Sequence, residues 1–472
     1  MSAIPDPIRK AARNRPEAPA IIAGSEVLAY ADLDRKVTAT AAHLAGLGLE
    51  RGDRLAVYRP SDVDYLVLLL AAFRLGLVVC PLSTRQPTAV VPDLLSRIAC
   101  ESLVAEPDPA WDELRVIDYG ASELDLFSCD EETEWHLDAP ATIIFTSGST
   151  GTPKAALHTL GNHVWSARGL VEHIPLEPGE RWLLDLPLYH VGGLAILFRC
   201  ILTGAAVVLP HRGEPVERTL AERGVTHASF VATQLLRLLQ RETEALGRMK
   251  AILLGGSAMP PSLIADAHAR SLPIHTSYGL SEMASTVTAT PHGASLEALG
   301  TSGISLPHRE VRLSDDGEIL VRGTTLFLGY LEGGEVVRPT AGDGWFPTGD
   351  LGAWVSVDGE AMLRVVGRKD SLFISGGENV QPEAIEAALG RVAGIRQALV
   401  VPVADEEFGQ RPVAFIDAEA WQPDRWSEAL ARELPRFMLP AAMYPWPQVW
   451  GGAKPNRQYF AEHAERLRSE ER

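Results

Sequence analysis

The sequence predicts an α/β protein with a large amino-terminal domain and a smaller carboxy-terminal one. Over about the first two-thirds of the 472 residues, short apolar runs suited to buried strands alternate with helical segments, as in layered and largely parallel sheets. After about residue 310, strand and hairpin signals replace this alternation. The length also exceeds one compact core, because domains of about 150 residues are typical.

The spacing of apolar residues predicts the elements of the amino-terminal part. Residues 31–47 are amphipathic at helical spacing and are followed by Gly48, a usual helix terminator. The apolar stretch at residues 65–79 contains Arg74 and is shorter than the roughly 20 residues of a membrane-spanning helix, so we interpret it as a buried helix. Short apolar runs predict buried strands at residues 54–58, 76–81, 142–145, 182–186, 206–209, 227–231 and 251–254.

The carboxy-terminal third follows a different pattern. A strand is predicted at residues 318–322, and Asp358-Gly359 separates two strand-like runs in the manner of a hairpin turn. The last hundred residues, approximately, form a smaller unit with helices at 382–389 and 425–434 and strands at 398–403 and 413–416. We place the boundary in the polar segment 367–370, which divides the chain into domains of residues 1–367 and 368–472.

Composition excludes several classes of protein. The formal net charge of −18 disfavours a nucleic-acid partner, because phosphate backbones bind clustered Lys and Arg; a single nucleotide is not excluded. The four cysteines form no Cys-x-x-Cys pair, so we predict reduced thiols and no zinc site. The first residues lack the apolar core of a signal peptide. These features, with no predicted membrane span, lead us to expect a cytoplasmic protein.

A segment rich in Ser, Thr and Gly follows the apolar run at 142–145 and carries the strongest chemical signal. Its glycines let backbone N–H groups approach an anion closely, its hydroxyls add donors and its lysine adds positive charge. Composition alone also permits a flexible linker, but a linker would not normally stand between two apolar runs. The residues that we expect to bind phosphate are Thr146, Ser147, Gly148, Ser149, Thr150, Gly151 and Lys154.

This segment differs from a Walker A loop. That motif requires Gly-Lys followed by Ser or Thr, whereas Pro153 precedes Lys154 and Ala155 follows it. The difference disfavours a P-loop kinase or GTPase.

The loop resembles the phosphate-binding signature of the adenylate-forming superfamily, which includes acyl-CoA synthetases, luciferases and peptide-synthetase adenylation domains. Four further motifs of that superfamily follow in the same order, and together they span essentially the whole chain. They are Tyr278-Gly279-Leu280-Ser281-Glu282, Thr348-Gly349-Asp350, Gly367-Arg368-Lys369-Asp370 and Gly451-Gly452-Ala453-Lys454-Pro455-Asn456-Arg457. The resemblance implies that the amino-terminal domain of layered α/β sheets includes a β-barrel-like part and that the small α+β carboxy-terminal domain is mobile. It also implies an enzyme that activates a carboxylic acid with ATP.

The resemblance implies roles for the motif residues in binding ATP and Mg²⁺. Glu282 offers a carboxylate to Mg²⁺, which takes oxygen ligands. Asp350 suits the two hydroxyls of a ribose, and the rigid guanidinium of Arg368 suits ribose or phosphate. Ser281 replaces the more common threonine and retains its hydroxyl. The other residues expected at the nucleotide are Tyr278, Gly279, Gly256 and Ser257.

These residues have plainer interpretations when each is considered alone. Tyr278 would suit core packing, Gly256 and Ser257 would suit a tight turn after a strand, and Glu282 would suit the surface. The ordered set of five motifs favours a binding site over these alternatives.

The carboxy-terminal domain is expected to contribute to both halves of the reaction. Lys454 resembles the catalytic lysine that stabilises charge at the α-phosphate, although Ala453 stands where the superfamily has a glycine. Asp370 matches the pivot about which the domain turns. After that rotation, Gly376, Gly377 and Glu378 would line the channel for the thiol of CoA.

Residues 161–199 narrow the choice of acid. The segments Gly161-Asn162-His163 and Leu188-Tyr189-His190 resemble the o-succinylbenzoate–CoA ligases of menaquinone biosynthesis. His190 stands where the superfamily has an aromatic or histidine gate beside the reacting carboxylate. Arg199 follows in an otherwise apolar helix, and an arginine buried there must pair with something. We predict that Arg199 supports the second carboxylate of o-succinylbenzoate; an arginine at the rim of the helix is the alternative.

The resemblance therefore predicts an AMP-forming acid–thiol ligase that uses ATP, Mg²⁺ and CoA with a small carboxylic acid. Another aryl- or fatty-acid–CoA ligase would have the same fold and a changed pocket. A member that binds nucleotide without turnover is the alternative outside enzymes. Superfamily members are often dimers, so a homodimer is compatible with the resemblance.

Overall fold

The computed structural model describes residues 2–111, 114–120, 124, 133–146, 153–211, 213–241, 243–257, 259–340, 342–375, 378–405, 408–447 and 455–471. Within these ranges two large sheets with helices on their faces make up the amino-terminal part. The α-helices are Pro7–Asn14, Tyr30–Gly46, Val63–Leu75, Val91–Arg97, Leu160–His173, Val191–Thr203, Val216–Glu222, Ala232–Gln240, Pro261–Ala269, Leu296–Leu299, Pro382–Gly390, Pro423–Glu433 and Arg457–Glu471.

One of the two large sheets has nine strands, and its central strands are parallel. All four residues of strand Ala251–Leu254 are buried, which accounts for its unbroken apolar sequence in a sheet covered on both faces. From edge to edge the strands are Ile304–Ser305, Ser285–Ala289, Ile274–Leu280, Ala251–Leu254, His227–Phe230, Arg181–Leu183, Ala206–Leu209, Pro19–Ala23 and Glu26–Ala29.

The other large sheet has eight strands, which are parallel from Arg115–Ile117 to Pro140–Thr146 and antiparallel beyond it. Strand Lys154–Thr159 is antiparallel to Pro140–Thr146 on one side and to Gly329–Glu332 on the other. From edge to edge the strands are Glu335–Val337, Gly329–Glu332, Lys154–Thr159, Pro140–Thr146, Val78–Pro81, Arg54–Val57, Ser102–Val104 and Arg115–Ile117. A separate two-stranded sheet joins Ala3–Pro5 to Glu134–His136.

The strand-rich region after residue 310 forms a four-stranded antiparallel sheet. Its strands are Arg309–Leu313, Glu318–Gly323, Phe346–Val357 and Glu360–Arg368, and the last two form the hairpin predicted at Asp358-Gly359. Ile319, Val321 and Leu363 of this sheet share a buried core with Met283, the residue after Glu282. The sheet therefore supports the segment that contains the Tyr-Gly-x-Ser-Glu motif.

The carboxy-terminal unit is a sheet covered by helices on both faces. Its strands are Phe373–Ser375, Glu378–Val380, Ile395–Asp405, Gly409–Ala418 and Ala442–Pro445. Neighbouring residues of one strand enter different cores: Val400 packs with Trp426, and Val401 packs with Phe460. This alternation follows from the two-residue period of a strand. The division at residue 367 stays a prediction.

Most predicted elements lie close to the observed ones. The predicted helix at 31–47 is Tyr30–Gly46, and strands 206–209 and 251–254 have the predicted ends. The buried helix predicted at 65–79 was too long, because it ends at Leu75. Gly76 follows with φ of 85° and caps the helix, after which the chain enters strand Val78–Pro81. No helix among the described residues is long and apolar enough to cross a membrane.

Candidate nucleotide and acyl site

The two ends of the phosphate-loop motif are held by a strand pair. Thr146 ends one strand, Lys154 begins the next, and the two residues are direct partners in the ladder. The intervening residues Ser147, Gly148, Ser149, Thr150 and Gly151 lie outside the described residues. The Lys154 Nζ atom lies 5.0 Å from the centroid of the Tyr330 ring, within range of a cation–π interaction.

Ser281 and Glu282 occupy a 3₁₀ turn, Ser281–Met283, directly after strand Ile274–Leu280. The His158 Nε2 atom lies 2.7 Å from the carbonyl oxygen of Ser281. Burial lowers the pKa of His158 to about 4, so the ring is neutral near pH 7 and donates its Nε2 hydrogen to that carbonyl. The Tyr330 hydroxyl donates to Glu282 Oε1 at 2.5 Å. Hydrogen bonds therefore fix both the main chain of this turn, at the Ser281 carbonyl, and the carboxylate of Glu282.

The backbone is strained two and three residues after Glu282. Ala284 and Ser285 have positive φ angles of 53° and 127°, which residues with a Cβ atom rarely adopt. Close packing accompanies this bend, since a Cβ atom on Gly279 would lie 2.4 Å from the Ser285 carbonyl oxygen. The glycine of the Tyr-Gly motif is thus required by the approach of two antiparallel strands.

The predicted ribose carboxylate is held by two donors. The Tyr278 hydroxyl donates to Asp350 Oδ2 at 2.6 Å, and Arg368 Nη1 donates to Asp350 Oδ1 at 3.0 Å. Each oxygen retains a lone pair for a ligand hydroxyl. Burial alone would lower the pKa of Arg368, but its bonds to Asp370 and Asp350 outweigh that effect and raise it. The guanidinium therefore stays charged.

Arg368 also connects the Asp350 carboxylate to the predicted pivot. Its Nε atom donates to Asp370 Oδ1 at 3.1 Å, and its Nη2 atom donates to Oδ2 at 3.2 Å. Asp370 itself lies in the 3₁₀ turn Lys369–Ser371. The motif Gly-Arg-Lys-Asp is thus ordered by a bidentate ion pair within itself.

The remaining predicted nucleotide residues follow a strand of the nine-stranded sheet. Gly256 and Ser257 come after Ala251–Leu254 and are exposed. Gly256 has a φ of 80°, a conformation that glycine adopts without strain. They lie beyond the carboxyl end of a parallel strand, where ligands of α/β sheets bind.

The predicted acyl-site residues lie on one helix, Val191–Thr203. His190 is its N-cap residue and is exposed, with its ring 4.7 Å from the ring of Tyr189. Arg199 is buried inside the same helix with 1% of its surface exposed. Arg199 therefore does not lie at the rim of the helix, and its support of a second carboxylate stays a prediction.

Arg199 has few partners for a buried cation. Its Cζ atom lies 4.9 Å from the ring centroid of Trp182, and Nη2 lies 3.5 Å from Ser285 Oγ. The Nε and Nη1 atoms have no hydrogen-bond partner among the described residues. Burial, together with the nearby charge of Arg309, lowers the pKa of Arg199 to about 9. Two buried donors without acceptors indicate a place for an anion.

Of the site residues predicted in the carboxy-terminal domain, some lie within the described ranges and others outside them. Glu378 begins strand Glu378–Val380 and is exposed, while Gly376, Gly377 and Lys454 lie outside the described residues. Arg457, three positions after Lys454, begins the last helix and bonds to Glu383 Oε1 at 2.8 Å and Glu386 Oε2 at 3.0 Å. This arginine anchors the helix.

Sequence reasoning missed three side chains of the site: Tyr330, Trp182 and His158. Each lies in an apolar strand whose alternation suggests only packing, and each meets a partner on another element, which is the 3₁₀ turn Ser281–Met283 for Tyr330 and His158 and the helix of Arg199 for Trp182. No spacing within the chain signals such a contact.

Among the described residues, no group of three His, Cys, Asp or Glu side chains is arranged to hold a metal ion. A Mg²⁺ ion carried by ATP fits this donor set, because such an ion takes one or two protein carboxylates and completes its shell with phosphate and water. Glu282 supplies a carboxylate that Tyr330 orients.

Asp185 is a half-buried carboxylate beyond the carboxyl end of strand Arg181–Leu183. Gln234 Nε2 donates to its Oδ2 atom at 2.8 Å, but burial dominates and raises the pKa of Asp185 to about 6. The folded protein therefore holds a proton there that the unfolded chain has already released, and stability falls as pH rises towards and through 6.

We expect Asp185→Asn to remove the loss of stability that this carboxylate causes as the pH rises. Between pH 5 and pH 7.5 the variant should gain about 1 kcal/mol of stability relative to the parent protein, measured by urea denaturation at both pH values. Asp266→Asn is the control for loss of a carboxylate, because that side chain is half-exposed and its ion pair with Arg270 lies at the surface, where such pairs contribute little to stability. An equal difference between variant and parent at both pH values would contradict the assignment.

Known proteins resemble the chain in both parts. The model of the AMP-binding enzyme family matches residues 8–331, and that of the AMP-binding enzyme C-terminal domain matches residues 384–449. The 2-succinylbenzoate–CoA ligase of Salmonella typhimurium is 35% identical over 451 residues, which are 94% of each chain.

Solved structures extend the likeness to the fold. The o-succinylbenzoate CoA synthetase of Bacillus subtilis, in complex with the acyl-adenylate intermediate OSB-AMP, has a TM-score of 0.86 at 27% identity and covers 97% of both chains. The structure of that enzyme with ATP and magnesium ion has a TM-score of 0.84 at 28% identity, over 94% of this chain and 96% of the other. With a family model matching residues 8–331 and 35% identity to a relative along 94% of its length, this chain belongs to the family of AMP-binding enzymes.

Proposed function

We propose that this enzyme activates o-succinylbenzoate (2-succinylbenzoate) with ATP and transfers the acyl group to CoA, in menaquinone biosynthesis. In the first half-reaction, a carboxylate oxygen of the succinyl group attacks the α-phosphorus of ATP and pyrophosphate leaves, which gives acyl-AMP. In the second, the sulfur of CoA attacks the acyl carbon, AMP leaves and the thiol proton passes to solvent. The products are o-succinylbenzoyl-CoA, AMP and pyrophosphate.

The single observation that carries the choice of acid is the buried Arg199. Two of its donor atoms have no acceptor among the described residues, and burial disfavours its charge. A carboxylate would supply both acceptors and an opposite charge. Of the two carboxylates of o-succinylbenzoate one reacts, so the aryl carboxylate remains for this cation.

The helix that contains Arg199 suits a diacid. His190, proposed to stand beside the reacting carboxylate, is its N-cap residue. Nine residues of helix span about 13 Å, and long side chains on a helix point back towards its amino terminus. The Arg199 guanidinium therefore approaches the His190 end, as a compact substrate with two carboxylates requires.

We assign the nucleotide to the motif residues. Thr146 to Gly151 and Lys154 would bind the β- and γ-phosphates, and Ser281 the α-phosphate. Tyr278, Gly279, Gly256 and Ser257 would contact the adenosine, with Asp350 and Arg368 at the ribose. The Glu282 carboxylate would hold the Mg²⁺ ion of ATP, which when bound neutralises phosphate charge. These assignments rest on the motifs together with the hydrogen bonds that order Glu282 and Asp350.

The carboxy-terminal domain would serve the two half-reactions in turn. Lys454 would stabilise the charge at the α-phosphate during adenylation. Rotation about Asp370 would then remove Lys454 and bring Gly376, Gly377 and Glu378 to the thiol channel. We place the reaction in the cytoplasm, where ATP and CoA are available, and we retain the homodimer as a proposal.

A panel of acids tests the substrate. The purified enzyme with ATP and Mg²⁺ should release pyrophosphate with o-succinylbenzoate and form its CoA thioester, detected by mass spectrometry. Benzoate, cinnamate and long-chain fatty acids should give kcat/KM values lower by at least about 100-fold, because they leave the buried cation unpaired. Activity on long-chain acids with none on o-succinylbenzoate would overturn the substrate and leave the reaction class intact.

Arg199 is tested with two acids that differ by one carboxylate. Arg199→Ala should lower kcat/KM for o-succinylbenzoate by roughly 100-fold, chiefly through KM, because a buried charge pair loses one member. The effect on 3-benzoylpropionate, which lacks the aryl carboxylate, should be a few-fold at most. Arg312→Ala removes a similar arginine–tryptophan contact on the antiparallel sheet and should affect neither acid. Equal losses on both acids in Arg199→Ala would refute the assignment.

Lys454 is tested by separating the half-reactions. Lys454→Ala should lose pyrophosphate release by about 100-fold or more and still convert supplied acyl-AMP and CoA to the thioester. Lys10→Ala, on an exposed face of helix Pro7–Asn14, is the control for loss of a lysine charge. Unchanged adenylation in Lys454→Ala would remove this residue from the mechanism.

A further inference from the structure

Tyr330 touches two residues of the proposed triphosphate site at once. Its hydroxyl donates to Glu282 Oε1 at 2.5 Å, and its ring centroid lies 5.0 Å from Lys154 Nζ. Tyr330 is buried with 8% of its surface exposed. No motif of the sequence contains it, and its strand is paired with the strand that Lys154 begins.

The position of the phenol is determined by its surroundings. Tyr330 is the ladder partner of Ala156, two residues from Lys154. Its ring packs edge-on against Phe327 at 4.9 Å, and the Phe327 amide donates to the Glu282 carbonyl at 2.8 Å. Tyr330 thus bonds directly to the Glu282 side chain, and the Phe327 residue against which its ring packs bonds to the Glu282 main chain.

Two chemical features suit Tyr330 to orient a metal ligand. A phenol that donates to an ionised carboxylate makes a strong, charge-assisted hydrogen bond, which fixes the carboxylate and leaves the other oxygen for a cation. A tyrosine hydroxyl, with an ordinary pKa of about 10, also keeps its hydrogen near pH 7 and so remains a donor. Groups that hold a metal ligand in this way commonly change metal affinity or activity by about 10–100-fold when removed.

We propose that Tyr330 is a positioning residue for Mg·ATP, which aligns the Glu282 carboxylate through its hydroxyl and Lys154 through its ring. The proposal rests on the role given above to Glu282 as the metal ligand. Tyr330 itself touches neither the ion nor the reacting atoms. The ring and the hydroxyl have separable functions, because the ring faces a phosphate-binding lysine and the hydroxyl faces a metal-binding carboxylate.

Tyr330→Phe separates the functions of the ring and the hydroxyl, since it removes the hydroxyl and retains the ring. The measurement is the dissociation constant of Mn²⁺ in the presence of α,β-methylene-ATP, followed by electron paramagnetic resonance. We expect this constant to rise by about 10-fold or more, with binding of the metal-free nucleotide in EDTA unchanged. Conversion of supplied acyl-AMP and CoA to thioester should also be unchanged. An unaltered Mn²⁺ constant in Tyr330→Phe would overturn the proposal.

Two further variants complete the test. Tyr30→Phe is the control, because it removes another buried tyrosine hydroxyl, which donates to the Ala205 carbonyl at 2.7 Å. We expect this variant to leave the Mn²⁺ dissociation constant unchanged. A rise equal to that in Tyr330→Phe would overturn the proposal, because it would indicate a general effect of losing a buried hydroxyl. Tyr330→Leu should weaken metal-free nucleotide binding as well, because Lys154 loses its aromatic partner.

Glu282→Gln separates this proposal from the one on which it rests. If Glu282→Gln weakens Mn²⁺ binding and Tyr330→Phe does not, Glu282 remains the metal ligand and only the role of Tyr330 falls. If Glu282→Gln leaves the Mn²⁺ constant unchanged, the metal role of Glu282 falls and this proposal falls with it.

Discussion

The strand Lys154–Thr159 is hydrogen-bonded along both edges, to Pro140–Thr146 and to Gly329–Glu332. Its two ladders establish a register that a slip of one residue would destroy, because every side chain would change faces. Lys154 and His158 are thereby held at opposite ends of one strand, one beside the Tyr330 ring and the other on the Ser281 carbonyl. The main-chain positions of the proposed triphosphate site therefore follow from strand pairing, on which the side-chain contacts of Tyr330 and His158 are built.

The strand pairing stabilises the fold, whereas burial of Arg199 destabilises it. A guanidinium with two donors unpaired by the described residues costs stability, and burial of this kind persists where a ligand completes the pairing. The strained φ angles of Ala284 and Ser285 occur beside it, and Ser285 Oγ accepts a hydrogen bond from its Nη2 atom. Strain and an incompletely paired charge therefore concentrate at the wall that we assign to the aryl carboxylate. The same desolvation that destabilises the protein would make the pocket discriminate between diacids and monoacids.

Arg368 connects the nucleotide site with the proposed pivot. The Nη1 atom of its guanidinium donates to Asp350, on the antiparallel sheet. The Nε atom donates to Asp370, in the turn that leads to the carboxy-terminal sheet. A rotation about Asp370 would change the second pair of bonds and leave the first. Binding of a ribose at Asp350 and the orientation of the small domain would then influence one another through a single side chain.

The sequence by itself determined the α/β alternation, most strand and helix positions and the five ordered motifs, because hydrophobic periodicity and glycine placement are local properties of a chain. Roles for motif residues such as Glu282, Asp350 and Arg368 came instead from the resemblance of those motifs to the adenylate-forming superfamily. Only the tertiary structure decided where the apolar run at 65–79 divides, since Gly76 ends its helix with a positive φ angle. It alone brought Tyr330 to Glu282 and buried Arg199 over Trp182. Those contacts join residues on different strands and helices, and no spacing along the chain encodes which face of a neighbouring strand a side chain will meet.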